Sequence, residues 1–464
     1  MNHLSRLTES IYSDDALLSL FSGAETVSQM LAVEAALARA QAQCGVIPAN
    51  AAAVIHEVCR DGEINAILDM NAIATAAVAA GNIAIPFVKQ LTAAVASVDA
   101  EAARYVHWGA TSQDILDTAL VLQVRQAAAR LDSELSRATL ACARLTSVHR
   151  DTIMVGRTWL QHALPTTFGA KTAGWLEALE RSRLRLRQDA SQMALLQFGG
   201  AAGTLASLGP AGADVVRALA AELGLSVPAM PWHTHRDRLA SLAASLGVLT
   251  GTMGKIARDV SLMAQSEIGE VSEPAGPGRG GSSTMPHKRN PVGCAAILAA
   301  AIRVPPLVST MLSGMIQEHE RALGGWQAEW DVLPQIAALT GGALRHLGGL
   351  LEGLEVYPDQ MARNLALTDG LILGEAYMLA LGARLGRLPA HALVERASRD
   401  AVASGRPLKE ALRDALESDA TTRGLLGDDD LERLGDPANY VGEAPAICDR
   451  VLAAWADRDG RQAR

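Results

Sequence analysis

Gly280 to Pro291 reads Gly-Gly-Ser-Ser-Thr-Met-Pro-His-Lys-Arg-Asn-Pro: a glycine entry, the serine hydroxyls of Ser282 and Ser283, then Lys288, Arg289 and Asn290. A Gly-Ser-Ser run alone reads as a linker. The residues that follow argue otherwise, because Pro286 and Pro291 restrict the chain around a cluster of cationic and amide donors suited to an anion. Gly276, Gly278, Gly280 and Gly281 add the freedom of a loop that closes over what it binds. The run Gly276 to Ser283 lacks the GxxxxGK[ST] spacing and follows a helical pattern, which excludes a nucleotide P-loop.

Two further segments carry chemistry. His107-Trp108-Gly109-Ala110-Thr111-Ser112-Gln113-Asp114 opens a long helical pattern, with Thr111 and Ser112 as caps and Asp114 in the first turn. Capping alone explains such a string; so does carboxylate binding by hydroxyls and free N–H groups at a helix start. Gly156 to Thr167 is a polar stretch leading into the next long helix, with Arg157, Thr158, Gln161 and His162. A lone imidazole there is either structural or an acid/base group. His233 and His235 have no HExxH motif or carboxylate cluster beside them, so no metal is expected.

The elements that must hold these segments are helical. The 464-residue chain is 49% hydrophobic but only 3% aromatic, which favours helix over sheet. No proline occurs between Pro86 and Pro165, Pro165 and Pro210, Pro231 and Pro274, or Pro306 and Pro334. Those gaps leave room for long helices. Leu239, Leu242, Leu246, Leu249, Met253, Ile256 and Val260 recur at three- and four-residue steps, as do Leu116, Leu120, Val124, Ala127 and Leu131, and Leu176, Leu179, Leu186 and Met193. Several such faces imply an all-α bundle. The reading is a helical N-terminal domain over 1–105, a central long-helix bundle over 106–350, and a small C-terminal helical domain over 351–464, broken at Gly386, Gly405, Gly424 and Gly435.

The net charge of -9 argues against nucleic-acid or membrane-surface binding. No window reads as an uncharged apolar span, and the first residues lack a secretion-signal pattern. Cys44, Cys59, Cys142, Cys294 and Cys448 are scattered and form no CxxC pair, so the expected setting is a reducing cytoplasm.

In this order the three segments resemble the active-site regions of the fumarase/aspartase superfamily. Gly281 to Pro291 resembles its signature loop; His107 to Asp114 and Thr158 to Pro165 resemble the other two regions. The resemblance covers essentially the whole chain. It implies an all-α, three-domain fold and a homotetramer whose long helices form a common core, with active sites shared between subunits. Within the superfamily the chain is most similar to lactone-forming members, through Ala80 to Pro86, Val106 to Asp114, Arg157 to His162, Pro231 to Thr234, Arg236 to Arg238, Glu318 to Arg321 and Gly325 to Trp330. At Leu367-Thr368-Asp369-Gly370 those members usually carry Thr-Gly-Gly.

What this implies is closure of 3-carboxy-cis,cis-muconate, a small tricarboxylate, to 4-carboxymuconolactone in the protocatechuate branch of the β-ketoadipate pathway. A carboxylate adds to the diene and the α-carbon is protonated by way of an aci-carboxylate, with no cofactor. The resemblance makes Ser282 the acid/base at carbon, Lys288 the cation that favours its alkoxide, and Asn290 a ligand of substrate oxygen. Thr111, Ser112 and Arg321 would hold other carboxylates, and His107 and Gln161 would complete the pocket. His162 matches the histidine that protonates the leaving group in related lyases. A carboxylate leaving group has a pKa of about 4, so orienting that carboxylate is the other role open to His162. The alternative is an adenylosuccinate lyase-like C–N lyase that releases fumarate. Its phosphate-holding serines and arginine fall here on Trp326, Gln327 and Trp330, which disfavours it.

Overall fold

The computed structural model describes residues 3–60, 68–276, 278–281, 284–285 and 287–462. The elements that matter for function are, in chain order, α1 (Gly23–Gln43), α2 (Ala49–Arg60), α3 (Ser112–Val148), β1 (Ile153–Thr158), β2 (Gln161–Thr167), α4 (Phe168–Met193), α5 (Asp237–Met263), β3 (Val271–Ser272), α6 (Val292–Ser313), α7 (Gly325–Glu352) and β4 (Glu355–Val356). Shorter helices run from Pro358 onward, and Gly386, Gly405 and Gly435 stand at their C-terminal ends.

Local chemistry sets the ends. Ser22 accepts the Glu25 N–H at 3.2 Å and starts α1; Asp69 accepts the Ala72 N–H at 3.0 Å and starts Met70–Ala80, which left-handed Gly81 ends. The acidic run Asp428-Asp429-Asp430 forms the first turn of Asp428–Leu434, where negative charge complements the helix dipole.

The chain divides into two compact units. The first comprises Met1–Leu135, Ser182–Gly254 and Ala296–Arg345, the second Ser136–Arg181, Lys255–Ala295 and His346–Arg464. In the first, the α5 positions Leu239, Leu242, Leu246 and Leu249 are all buried, as their spacing predicts. Val124, Ala127 and Leu131 of α3 are buried too, whereas Leu116 and Leu120 are half-buried. In the second unit, Val155 of β1 joins Tyr377, Leu381, Leu393, Leu408 and Leu412 in one apolar core.

Three features differ from the sequence reading. Gly156–Thr167 is part of an antiparallel hairpin, β1 with β2, and not a plain lead into α4. Its turn residues Trp159 and Leu160 have φ of 52° and 64°, a left-handed pair for which the sequence offers no Asn-Gly signal. Second, prolines do not mark helix limits here: α6 runs through Pro305 and Pro306, and α7 through Pro334. An interior proline costs about 3 kcal/mol, an amount that burying the apolar faces of these long helices outweighs. Third, α5 and α6 are long and apolar enough by length and composition to cross a membrane, with mean hydropathy of 1.3 and 1.8 in their most apolar stretches. Alanine, glycine and leucine far outnumber their few charges. In α5 most of that stretch is buried inside the protein, 56% against 33% in α6, which leaves Ile302 73% exposed.

Candidate active site

The first unit holds His107, Thr111, Ser112 and Arg321. Ser112 is the first residue of α3, and Asp114 lies in its first turn. Asp114 is fully buried and occupied: it accepts the Thr111 N–H at 3.1 Å, the Gly199 and Gly200 N–H groups at 3.0 and 2.8 Å, and Gln197 Nε2 at 3.2 Å, with His233 Nε2 at 2.8 Å. That carboxylate fixes the helix start and takes His233 with it. Arg321 is brought onto the same place, donating to Thr111 Oγ1 at 2.8 Å and to the Ala201 carbonyl at 2.9 Å. A guanidinium, a threonine and a helix N-terminus therefore meet at one point, as a carboxylate requires.

His107 precedes this turn with φ 58°, and its Nδ1 lies 2.6 Å from Glu34 Oε1. Burial works against charge on the imidazole. The charge and hydrogen bond of Glu34, with Asp114, outweigh it and hold the pKa above the usual histidine value. Glu34 is a neighbour of the candidate site that motif reading missed. The available signal was an acidic residue flanked by Val33, Ala35, Ala36 and Leu37 in an apolar helix.

The second unit holds Gln161, His162, Lys288 and Asn290. Gln161 is exposed where β2 leaves the turn, and His162 pairs in register with Arg157 of β1. Burial and the Arg157 charge hold the His162 pKa below its usual value, against an opposing pull from Glu270. His162 Nδ1 is buried and has no hydrogen-bond partner among the described residues.

The loop is closed at its base, where the Asn290 N–H donates to the Gly280 carbonyl at 2.8 Å. Arg289 turns the other way, forking onto Glu355 at 2.7 and 3.0 Å and onto the Glu273 carbonyl at 2.5 Å. The Glu273 carboxylate caps α6 through the Gly293 and Cys294 N–H groups at 3.1 and 2.8 Å. Lys288 is exposed, and a cavity of about 660 Å³ is lined by Arg279, Gly280, Lys288 and Asn290 together with Glu267 and Glu273. Ser282 lies outside the described residues, as do Pro277, Ser283 and Pro286. Among the described residues no group of three or more His, Cys, Asp or Glu is placed to hold a metal.

Comparison with known proteins places this helical fold among the lyases. Residues 10–305 match the lyase family and residues 370–451 match the adenylosuccinate lyase C-terminus family; the chain belongs to the lyase family. The 3-carboxy-cis,cis-muconate cycloisomerase of Pseudomonas aeruginosa is 52% identical over 449 residues, covering 97% of this chain and 96% of that protein. The nitrosuccinate lyase of Streptomyces davaonensis is 44% identical, covering 93% of this chain and 91% of that protein. The crystal structure of 3-carboxy-cis,cis-muconate lactonizing enzyme from Pseudomonas putida superimposes with a TM-score of 0.89 at 45% identity, covering 97% of this chain and 98% of that one.

Proposed function

We propose that this chain is a cycloisomerase that closes 3-carboxy-cis,cis-muconate to 4-carboxymuconolactone. The carrying observation is near full-length identity of 52% to a cycloisomerase of that name, and the Arg321 guanidinium donating to Thr111 Oγ1 beside the start of α3 supports it. A substrate carboxylate oxygen forms a C–O bond to the diene and the α-carbon gains a proton, so the reaction is an isomerisation. Charge builds on the carboxylate next to that carbon, and preorganised donors and cations are the efficient way to stabilise it.

In this reading Ser282 exchanges the proton at carbon, Lys288 favours its alkoxide, and Asn290 binds substrate oxygen. His107, Thr111, Ser112, Gln161 and Arg321 hold the carboxylates. The low pKa of His162 supports a neutral imidazole that orients the reacting carboxylate, in preference to a general acid. The active unit is a homotetramer with shared sites in a reducing cytoplasm. The exposed Ile302 and Leu312 of α6 support packing against another subunit, and the free state of all five cysteines supports that compartment.

A second reading, a C–N lyase releasing fumarate, draws on the nitrosuccinate lyase likeness. A nucleotide substrate is disfavoured because Trp326 is buried, with its indole N–H donating to Asp117 at 3.0 Å, where adenylosuccinate lyases hold phosphate.

The test is loss of the conjugated-diene absorbance of 3-carboxy-cis,cis-muconate with metal-free protein. Ser282→Ala is expected to lower kcat at least ~10²-fold, the low end for proton transfer to a reacting group. No turnover by folded protein, with fumarate released from nitrosuccinate or adenylosuccinate instead, would replace this reading with the second.

A further inference from the structure

α1 touches the strained turn before α3 at two points. Glu34 meets His107 Nδ1 at 2.6 Å, and Gln41 Nε2 donates to the Trp108 carbonyl, also at 2.6 Å. The two residues are seven apart, so they share one face of the helix. Both are fully buried, with 1% and 0% exposure. The turn they hold is unusual: His107 has φ 58° and Gly109 φ 73°, and a Cβ on Gly109 would meet Leu208 Cδ2 at 2.7 Å. A non-glycine residue persists in that region only where its surroundings impose it.

We infer that Glu34 and Gln41 are positioning residues for substrate binding: Glu34 fixes His107 as a cation with Nδ1 turned inward, leaving Nε2–H to donate to a substrate carboxylate. A leucine would fill Glu34's place among Leu31, Leu37 and Ala38 without the cost of burying a carboxylate. The acid there is therefore directed at the imidazole. Gln41 holds the next peptide, so that the ring and the Thr111–Ser112 helix start keep one geometry.

Among the described residues the charged and titratable groups around the pair are few. Glu34 faces His107 from α1 and Asp114 from α3. The Glu34 charge also reaches Cys59 of α2, whose thiol it helps to hold protonated, and Arg39 of α1 opposes it there; Arg39 is itself paired with Glu222 at 2.8 Å and sits beside His56. Glu34 is thus the main group that stabilises a proton's positive charge on His107, ahead of Asp114, and Nε2 has no hydrogen-bond partner among the described residues.

The substrate half of this inference rests on the lactonisation reading; the ionisation half does not. Glu34→Gln keeps the shape and an acceptor but removes the charge. With ¹³Cε1-labelled histidine and His107→Gln for assignment, NMR titration is expected to place the His107 midpoint of Glu34→Gln below that of the unsubstituted protein. On 3-carboxy-cis,cis-muconate at pH 7, KM should rise about 10-fold or more, the order for losing a charge-assisted hydrogen bond, with kcat little changed. KM is low while His107 is charged and rises as pH passes its pKa, so in Glu34→Gln that rise should begin at lower pH. Glu34→Asp should restore the midpoint and most of KM, and Gln41→Ala should raise KM without moving the midpoint. An unchanged midpoint overturns the ionisation half. A moved midpoint with unchanged KM overturns the substrate half, and a protein inactive on the muconate with a moved midpoint overturns the lactonisation reading alone.

Discussion

Arg157 donates from both terminal guanidinium nitrogens to Glu270, at 2.9 and 2.7 Å, and stands opposite His162 in the hairpin ladder. Glu270 is fully buried and also accepts Asn364 Nδ2 at 2.9 Å. One ion pair thus anchors the hairpin and sets the field at its imidazole. A bidentate pair with satisfied lone pairs is the arrangement in which a buried carboxylate is tolerated.

Glu270→Gln should destabilise the protein by about 3 kcal/mol, because it leaves Arg157 facing a neutral amide in a largely buried place. Urea unfolding of the second unit, followed by the Trp175 signal, measures it. A loss below about 1 kcal/mol would be that of an exposed pair and would contradict the anchoring role.

The same geometry makes a pH prediction. Burial first, then Arg157, holds the folded pKa of His162 below its unfolded value. Below about pH 6.5 the unfolded chain then binds the extra proton, so this contribution to stability falls as pH drops and levels off once the folded pKa is passed. Arg157→Met removes one of the two depressing causes. NMR should show the His162 midpoint move up, and an unmoved midpoint would leave burial as the sole cause.

Gly280→Ala should impair catalysis more than folding. Gly280 has φ 64°, and a Cβ there would meet the Asn290 carbonyl oxygen at 2.6 Å, at the point where the Asn290 N–H closes the loop. Asn290 must shift, and Lys288 lies two residues before it. A displacement on the order of 1 Å costs roughly 10²-fold in turnover. The expected result is a fall in turnover much larger than any fall in the thermal midpoint. A parallel fall in stability and rate would reduce the effect to misfolding.

Much of this was legible in the sequence because helical faces and loop chemistry are local signals. The repeat from Leu239 to Val260 fixed α5, and Thr111 to Asp114 marked the start of α3. What was not legible depends on partners distant in sequence. Glu34 and His107 are 73 residues apart, and Arg157 and Glu270 are 113 apart. The hairpin was hidden because Trp159 and Leu160 adopt left-handed φ without the usual turn residues. The departure at Asp369 has a local account: it has φ 45° beside Gly370 at 82°, so a left-handed pair explains why glycines are usual there. Aspartate is among the few other residues that visit this region readily.

Arg236 sits in a polar cluster whose charges, and not its packing alone, bear on stability. Arg236 is buried with Nη1 at 2.6 Å from Asp117 and Nη2 at 2.5 Å from Glu329, under the Trp232 ring at 5.0 Å. Burial, with the Asp117 charge, raises the Glu329 pKa against the charge and hydrogen bond of Arg236, so the carboxylate depends on that partner to stay charged. The cluster joins α3 to α7, and Trp326 and Gln113 add their N–H groups to Asp117. Arg236→Met alone leaves two uncompensated buried carboxylates and should cost about 3–5 kcal/mol. Replacing Arg236, Asp117 and Glu329 together with apolar residues of similar volume should cost far less, because the desolvation penalty leaves with the charges. Denaturant titration of the single and triple variants decides it. If the triple variant is as unstable as the single one, the hydrogen bonds of Trp326 and Gln113 to Asp117, and not the charges, hold this junction.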